Sequence, residues 1–123
     1  MEVLLDTSFI ISCVRKKIDF ISQLEGEGFK VVLPREVLQE LKDLRVAPKE
    51  SHADRIAIDI ALVMFEGNKI KKTPLGGQSV DDGLIEKGKQ GAFIATLDNG
   101  IKREVANKIV IFNSSKSVGV QRD

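Results

Sequence analysis

The sequence predicts an α/β fold, a parallel sheet covered by helices on both faces. Three observations lead there. Short apolar runs of strand length alternate with longer stretches of helical periodicity. Several runs, such as Val3-Leu4-Leu5 and Val31-Val32-Leu33, are apolar throughout, as strands buried on both faces are. Glycine, proline or asparagine punctuates most of the junctions. Crossovers in such a sheet are expected to be right-handed. Ligands are expected beyond the carboxyl ends of the strands, where the strand order reverses.

Residues 2–5 read as a buried strand ending at an acid. Residues 7–17 follow as a helix with Phe9, Ile10, Cys13 and Val14 on one face. A second helical stretch runs from Asp19 through Phe20, Ile21 and Leu24, and Gly26 and Gly28 stop it. Residues 30–33 are a strand, and Pro34 is well placed to open the helix over 35–44, whose Val37, Leu38, Leu41 and Leu44 share a face. A polar loop at 47–51 leads into the most apolar helix, 54–65, ended by Gly67-Asn68. Lysines keep a short edge strand at 69–73 polar. After the loop Pro74-Leu75-Gly76-Gly77, Ser79 reads as an N-cap with Asp81 and Asp82 in the first turn of a helix to about residue 90. Gly76-Gly77 and the glycines at 88 and 91 read as loop punctuation. Residues 92–97 form the best strand candidate, 99–107 a helix and 108–112 a last strand. The expected division is one domain over 1–113 and a loose polar tail over 114–123.

A chain of 123 residues fits one domain, and 42% apolar with 30% charged residues is a globular balance. The apolar stretch 56–65 is interrupted by charge and too short for a bilayer, so no membrane association is expected; it reads either as core or as a homodimer face. The first residues carry no basic region and no cleavable apolar run, and a cytoplasmic location is expected. With Cys13 as the single cysteine there is no intrachain disulfide and no cysteine-rich zinc site; an apolar setting predicts that it is buried. The net charge of +1 gives no global field for nucleic acid, though Arg15-Lys16-Lys17, Lys69 with Lys71-Lys72, Lys87 with Lys89, and Lys102-Arg103 are local basic clusters. Six Phe with no Tyr or Trp argue against base stacking as the main binding device.

Two acids stand directly after buried-looking strands, Asp6 and Asp98. Taken singly, either is a turn former or helix cap as readily as a functional group. If their strands are neighbours, the carboxylates converge. Asp81-Asp82 can compensate a helix dipole, and Glu40, one turn after Glu36, can be solvated or lean over the sheet edge. Clustered carboxylates repel, and a cation relieves them. An all-oxygen set suits Mg²⁺ or Mn²⁺ rather than zinc, and such ions can activate water for in-line displacement at phosphorus. His52 is the only histidine and reads as a loop or helix-start residue, so histidine-pair ribonuclease chemistry has no partner. Phosphate-loop and dinucleotide fingerprints are missing, and a Ser-His-Asp triad would need His52 without a nucleophile elbow.

The succession Asp6-Thr7-Ser8, Glu40 within Val37-Leu38-Gln39-Glu40-Leu41-Lys42-Asp43-Leu44, Asp81-Asp82-Gly83-Leu84-Ile85, and Ala95-Thr96-Leu97-Asp98 resembles the PIN-domain nucleases, from Val3 to about Phe112. Within them it is most similar to archaeal single-domain relatives of the eukaryotic small-subunit-processome PIN endonuclease. The resemblance implies a three-layer α/β/α sandwich with a central, mostly parallel sheet of four to five strands. It implies a divalent-metal-dependent endoribonuclease using Mg²⁺ or Mn²⁺, acting on RNA, with ribosomal RNA processing as one expected role. Asp6, Glu40, Asp81 and Asp98 would be the catalytic carboxylates and metal ligands, with Asp82 assisting. Thr7, Ser8 and Thr96 would orient carboxylates or water, and Lys42, Lys102 and Arg103 would contact phosphates. Implied partners are the RNA substrate and a ribosome-assembly factor or, for a VapC-type toxin, an antitoxin. A catalytically silent scaffold binding RNA or protein is the remaining alternative. The chain departs from the closer relatives at Leu97, where they carry a polar residue, and at Asn99-Gly100.

Overall fold

A computed structural model describes residues 1–77 and 79–122. Strand β1 (Glu2–Leu5) lies inside the sheet, and its sequence shows why. Alternate side chains of a strand point to opposite faces. Val3 and Leu5 enter one core and Leu4 the other, so both faces must be apolar. β2 (Lys30–Pro34) and β4 (Phe93–Ala95) flank β1 in parallel. β3 (Lys71–Thr73) pairs outside β2 and β5 (Lys108–Phe112) outside β4, both parallel. The order is β3-β2-β1-β4-β5-β6, six strands rather than four to five. From β1 the chain builds outward through β2 and β3, then returns to the other side of β1 with β4. The order therefore reverses between β1 and β4.

Two helical layers cover this sheet. Helices α1 (Thr7–Arg15), α2 (Phe20–Gly26), α3 (Arg35–Arg45) and α4 (His52–Gly67) bury Phe9, Ile10, Leu24, Val37, Leu41 and Ile58 against the face carrying Val3 and Leu5. Phe20 packs edge-on to Phe9 and Phe65, with ring centroids 6.1 and 6.2 Å apart. α5 (Val80–Lys89) and α6 (Asn99–Glu104) cover the other face through Leu84 and Ile101 over Leu4, Val32 and Ile94. The core reading of α4 holds for Ile58, Ala61 and Phe65, while Ile56, Ile60 and Val63 on its outer side are exposed. No helix among the described residues is long and apolar enough to cross a membrane.

Two expectations are corrected. The loose tail contains β6 (Ser117–Val120), antiparallel to β5. Its four residues are too few and too mixed to announce a strand. Pairing with the adjacent β5 stabilises it, and so, from far along the chain, does Gln23, whose Oε1 accepts the Val118 N–H at 2.8 Å. Asp123 lies outside the described residues. Gly88 is not loop punctuation but a buried residue of α5, where a Cβ would run into Val105. Gly83, one face along, would place a Cβ 2.6 Å from the Leu75 Cβ. Glycine costs about 1 kcal/mol in a helix interior; here its small size lets α5 sit close to the preceding loop and to the chain after α6.

Candidate active site

Asp6 follows β1 at the carboxyl edge of the sheet, beside the end of β4. Its N–H donates to the Ala95 carbonyl at 2.9 Å, extending the ladder beyond β1. Its Oδ1 accepts the Thr7 N–H at 2.9 Å and caps α1. Its Oδ2 accepts the Thr96 hydroxyl at 2.7 Å. Thr96 is fully buried, and the same hydroxyl oxygen accepts the Asp98 N–H at 3.0 Å. One hydroxyl therefore ties together two acids distant in sequence. Asp98 in turn caps α6, its Oδ1 accepting the N–H groups of Gly100 and Ile101 at 2.7 and 3.2 Å. The turn-former and helix-cap reading of both acids is thus correct, and compatible with a further role.

Glu40 is exposed on α3 and Asp81 is exposed in the first turn of α5. Ser79 caps that helix by accepting the Asp82 N–H at 3.1 Å. Glu36, one turn before Glu40, accepts the Leu75 N–H with both carboxylate oxygens at 3.1 Å, pinning the loop that leads to α5 against α3. Burial opposes charge on Glu36, but hydrogen bonds from Leu75, its own N–H and Gly76 outweigh it and hold its pKa below the usual value.

Asp6, Glu40, Asp81 and Asp98 all line one cavity of about 750 Å³ over the point of strand reversal. Thr7 and Ser8 share its wall. Burial raises the Asp6 pKa; the hydrogen bonds from Thr96 and Thr7 oppose this, and the charges of Glu40 and Asp81 add to it. Asp81 is likewise raised by burial, then by Asp98, Glu40 and Asp82. Asp6 and Asp81 thus feel acids carried by other segments of the chain. Asp82 faces a neighbouring hollow of about 510 Å³ between α5 and α6, which Asp81 and Asp98 also border.

Lys42, Lys102 and Arg103 do not line the cavity. Lys42 follows Glu40 by two residues, about 200° around the helix. Lys102 and Arg103 lie in the last turn of the short α6, away from Asp98 at its cap. The cavity instead includes Arg15, Lys16, Glu50 and Asp54, which sequence reasoning did not assign to it. Their signal was the basic cluster at the end of α1 and the acids around the start of α4. Only the packing of α1 on α4, where Arg15 donates to Asp54 at 3.0 Å, brings them together. Asp54, by hydrogen bonding above all, raises the pKa of Glu50.

His52 opens α4 and is exposed, and Cys13 is buried with its thiol pushed up to about 12 by burial. Neither lines the cavity, so its acidic donors are all oxygen. Mutually repelling carboxylates and oxygen donors fit a hard divalent cation. The Thr7 hydroxyl is buried behind the wall without a hydrogen-bond partner among the described residues. As placed, no three His, Cys, Asp or Glu side chains among the described residues converge closely enough to hold an ion. Asp6 and Asp98 are anchored, so closing a ligand set falls to rotamer changes of the exposed Glu40 and Asp81.

No family model matches the chain, and no curated protein matches it by sequence. Among solved structures it is similar to one described as the PIN domain endonuclease Utp24, with a TM-score of 0.73. The fold is PIN-like. Identity is 22%, and the match covers 99% of this chain and 92% of the other. The likeness therefore spans the whole fold rather than an isolated motif, and in this chain the strand reversal lies under the carboxylates.

Proposed function

We propose that this PIN-like chain is an endoribonuclease that hydrolyses RNA phosphodiester bonds with Mg²⁺ or Mn²⁺ in the cytoplasm, processing ribosomal or other structured RNA. One observation carries the reading: four acids from four separated segments line a single cavity at the strand reversal, where Asp6 and Asp81 are raised in pKa by burial first and by neighbouring acids in addition. Likeness to a structure described as a PIN domain endonuclease supports it.

A divalent ion held by Asp6, Glu40, Asp81 and Asp98 would supply an activated water and stabilise charge developing on the phosphate oxygens. The chain's own groups do the rest. Thr96 holds the Asp6 carboxylate in one orientation and keeps Asp98 in register with it. Glu40 and Asp81 complete the acidic ring from opposite helical layers.

The test is cleavage of an internally labelled RNA in Mn²⁺, in Mg²⁺ and in EDTA. Asp6→Asn and Asp98→Asn are each expected to lower the rate at least about 100-fold while folding is retained, since even outer partners of metal ligands cost ~10–100-fold. Cleavage that persists in both variants, or in EDTA, rejects the reading.

A further inference from the structure

The acidic cavity repels the substrate it is proposed to cut, so a nucleic-acid strand needs cations close by to hold its other phosphates. Two hollows adjoin the cavity, and they differ in charge. The one between α5 and α6 sets Asp81, Asp82, Asp98 and Glu104 against Lys89 alone. The other, of about 430 Å³, is formed by Arg15, Lys16, Lys17, Ile18, Asn113 and Lys116, four cations and no acid. Arg15 and Lys16 belong to its wall and to the wall of the acidic cavity, so the two spaces adjoin.

These cations are placed, not merely numerous. Lys16 Nζ donates to the Asn113 side-chain oxygen at 2.6 Å, which fixes the ammonium without neutralising it. Arg15 is the exception, since Asp54 already balances it. Among the described residues Lys16, Lys17 and Lys116 make no ion pair. Lys17 and Lys116 both adopt left-handed backbone conformations, with φ of 60° and 50°, in the turns that end α1 and join β5 to β6. Non-glycine residues take that conformation uncommonly. Both turns could have carried glycine or asparagine at lower cost; each carries a cation beside the same hollow.

From this asymmetry we infer that the substrate strand leaves the carboxylate cavity over the end of α1 and lies in the hollow against the β5–β6 turn, its phosphates held by Lys16, Lys17 and Lys116. The ligand is a single-stranded phosphodiester chain. The α5–α6 side, with four carboxylates, is closed to it. The inference deepens the nuclease reading and rests on it for the position of the cut, but the binding path can be measured without cleavage.

The test uses the full chain with Lys16→Gln, Lys17→Asn and Lys116→Asn together; asparagine suits the left-handed positions, and unchanged thermal melting checks the fold. Binding of a fluorescent single-stranded RNA is measured in EDTA over a salt series. Loss of three phosphate contacts is expected to flatten the slope of log affinity against log salt by about 2 and to weaken binding roughly 100-fold at 0.1 M salt. Neutralising Lys42, Lys102 and Arg103 instead is expected to change affinity less than about twofold, and Lys16→Arg to keep the wild-type slope. An unchanged slope in the triple variant, or a loss that follows Lys42, Lys102 and Arg103, overturns the path. Path and chemistry can fail separately. Cleavage by the triple variant at unchanged KM rejects the path and leaves the nuclease reading. Binding that depends on the three lysines, in a chain that no metal makes active, supports the path and rejects the nuclease.

Discussion

Asp6 and Asp98 leave the ends of adjacent regions of the sheet and are gripped by backbone N–H groups and the Thr96 hydroxyl; Glu40 and Asp81 stand exposed on helices from opposite layers. The strand-borne half of the acidic rim is set by the sheet, at the same register that pairs Leu5 with Ala95. The helix-borne half is set by side-chain rotamers. Such a division would give the proposed metal site two fixed ligands and two adjustable ones. Like charge then costs the chain stability, while a bound cation would recover it.

Disrupting the fixed half should cost most. Thr96→Val keeps the shape but strips the Asp6 carboxylate of a donor and leaves the Asp98 N–H without its acceptor. We expect about 2–3 kcal/mol of lost stability in urea titration and ~10–100-fold lower cleavage. Thr96→Ser should retain most of both. A Thr96→Val chain as stable and active as wild type would show that the hydroxyl link is incidental.

The adjustable half should respond with opposite signs in stability and function. Glu40→Gln and Asp81→Asn each remove a charge that raises a neighbour's pKa. The metal-free variants should melt at or slightly above the wild-type temperature, while Mn²⁺ affinity measured by calorimetry falls ~10–100-fold. If instead both variants melt markedly lower, these acids are structural.

A pH titration sharpens the same contrast. Asp6 and Asp81 have folded pKa values above the ordinary 3.8, so the folded chain binds their protons more tightly than the unfolded chain. Their contribution is therefore destabilising at neutral pH and is relieved as pH falls toward 3.8. The melting temperature of wild type relative to Asp6→Asn should rise as pH is lowered through that window in EDTA, and saturating Mn²⁺ should reverse the trend. A difference independent of pH would contradict the raised Asp6.

The smallest effect is expected at Glu36→Gln. It weakens a charge-assisted bond to the Leu75 N–H at a partly exposed site, for about 1 kcal/mol, and should show as faster amide exchange at Leu75.

Much of this was legible along the chain. The apolar runs at β1, β2 and β5 and the face periodicity of α3 are local patterns, and Ser79 capping α5 follows from one residue type at one place. Asp6 and Asp98 stood out for the same reason, since carboxylates after buried strands are conspicuous; Glu40 and Asp81 lie in helices and joined them through the succession of motifs that resembles the PIN-domain nucleases. Less was legible where the cause lay elsewhere. β6 depends on β5 and Gln23, and Gly88 on Val105. The resemblance put Lys42, Lys102 and Arg103 on the phosphates, whereas Lys16 reaches the cavity rim through the crossing of α1 and its bond to Asn113.

Apart from β6, the sequence by itself determined which segments are strands and which are helices, and that acids close β1 and precede α6, because hydrophobic period and capping chemistry act between near neighbours. Only the tertiary structure decided that β1 and β4 lie side by side, that one buried hydroxyl joins Asp6 to Asp98, and that cations gather on one side of the cavity and acids on the other. Strand order and helix crossings arise from contacts between residues dozens of positions apart, and no local pattern encodes where those partners meet.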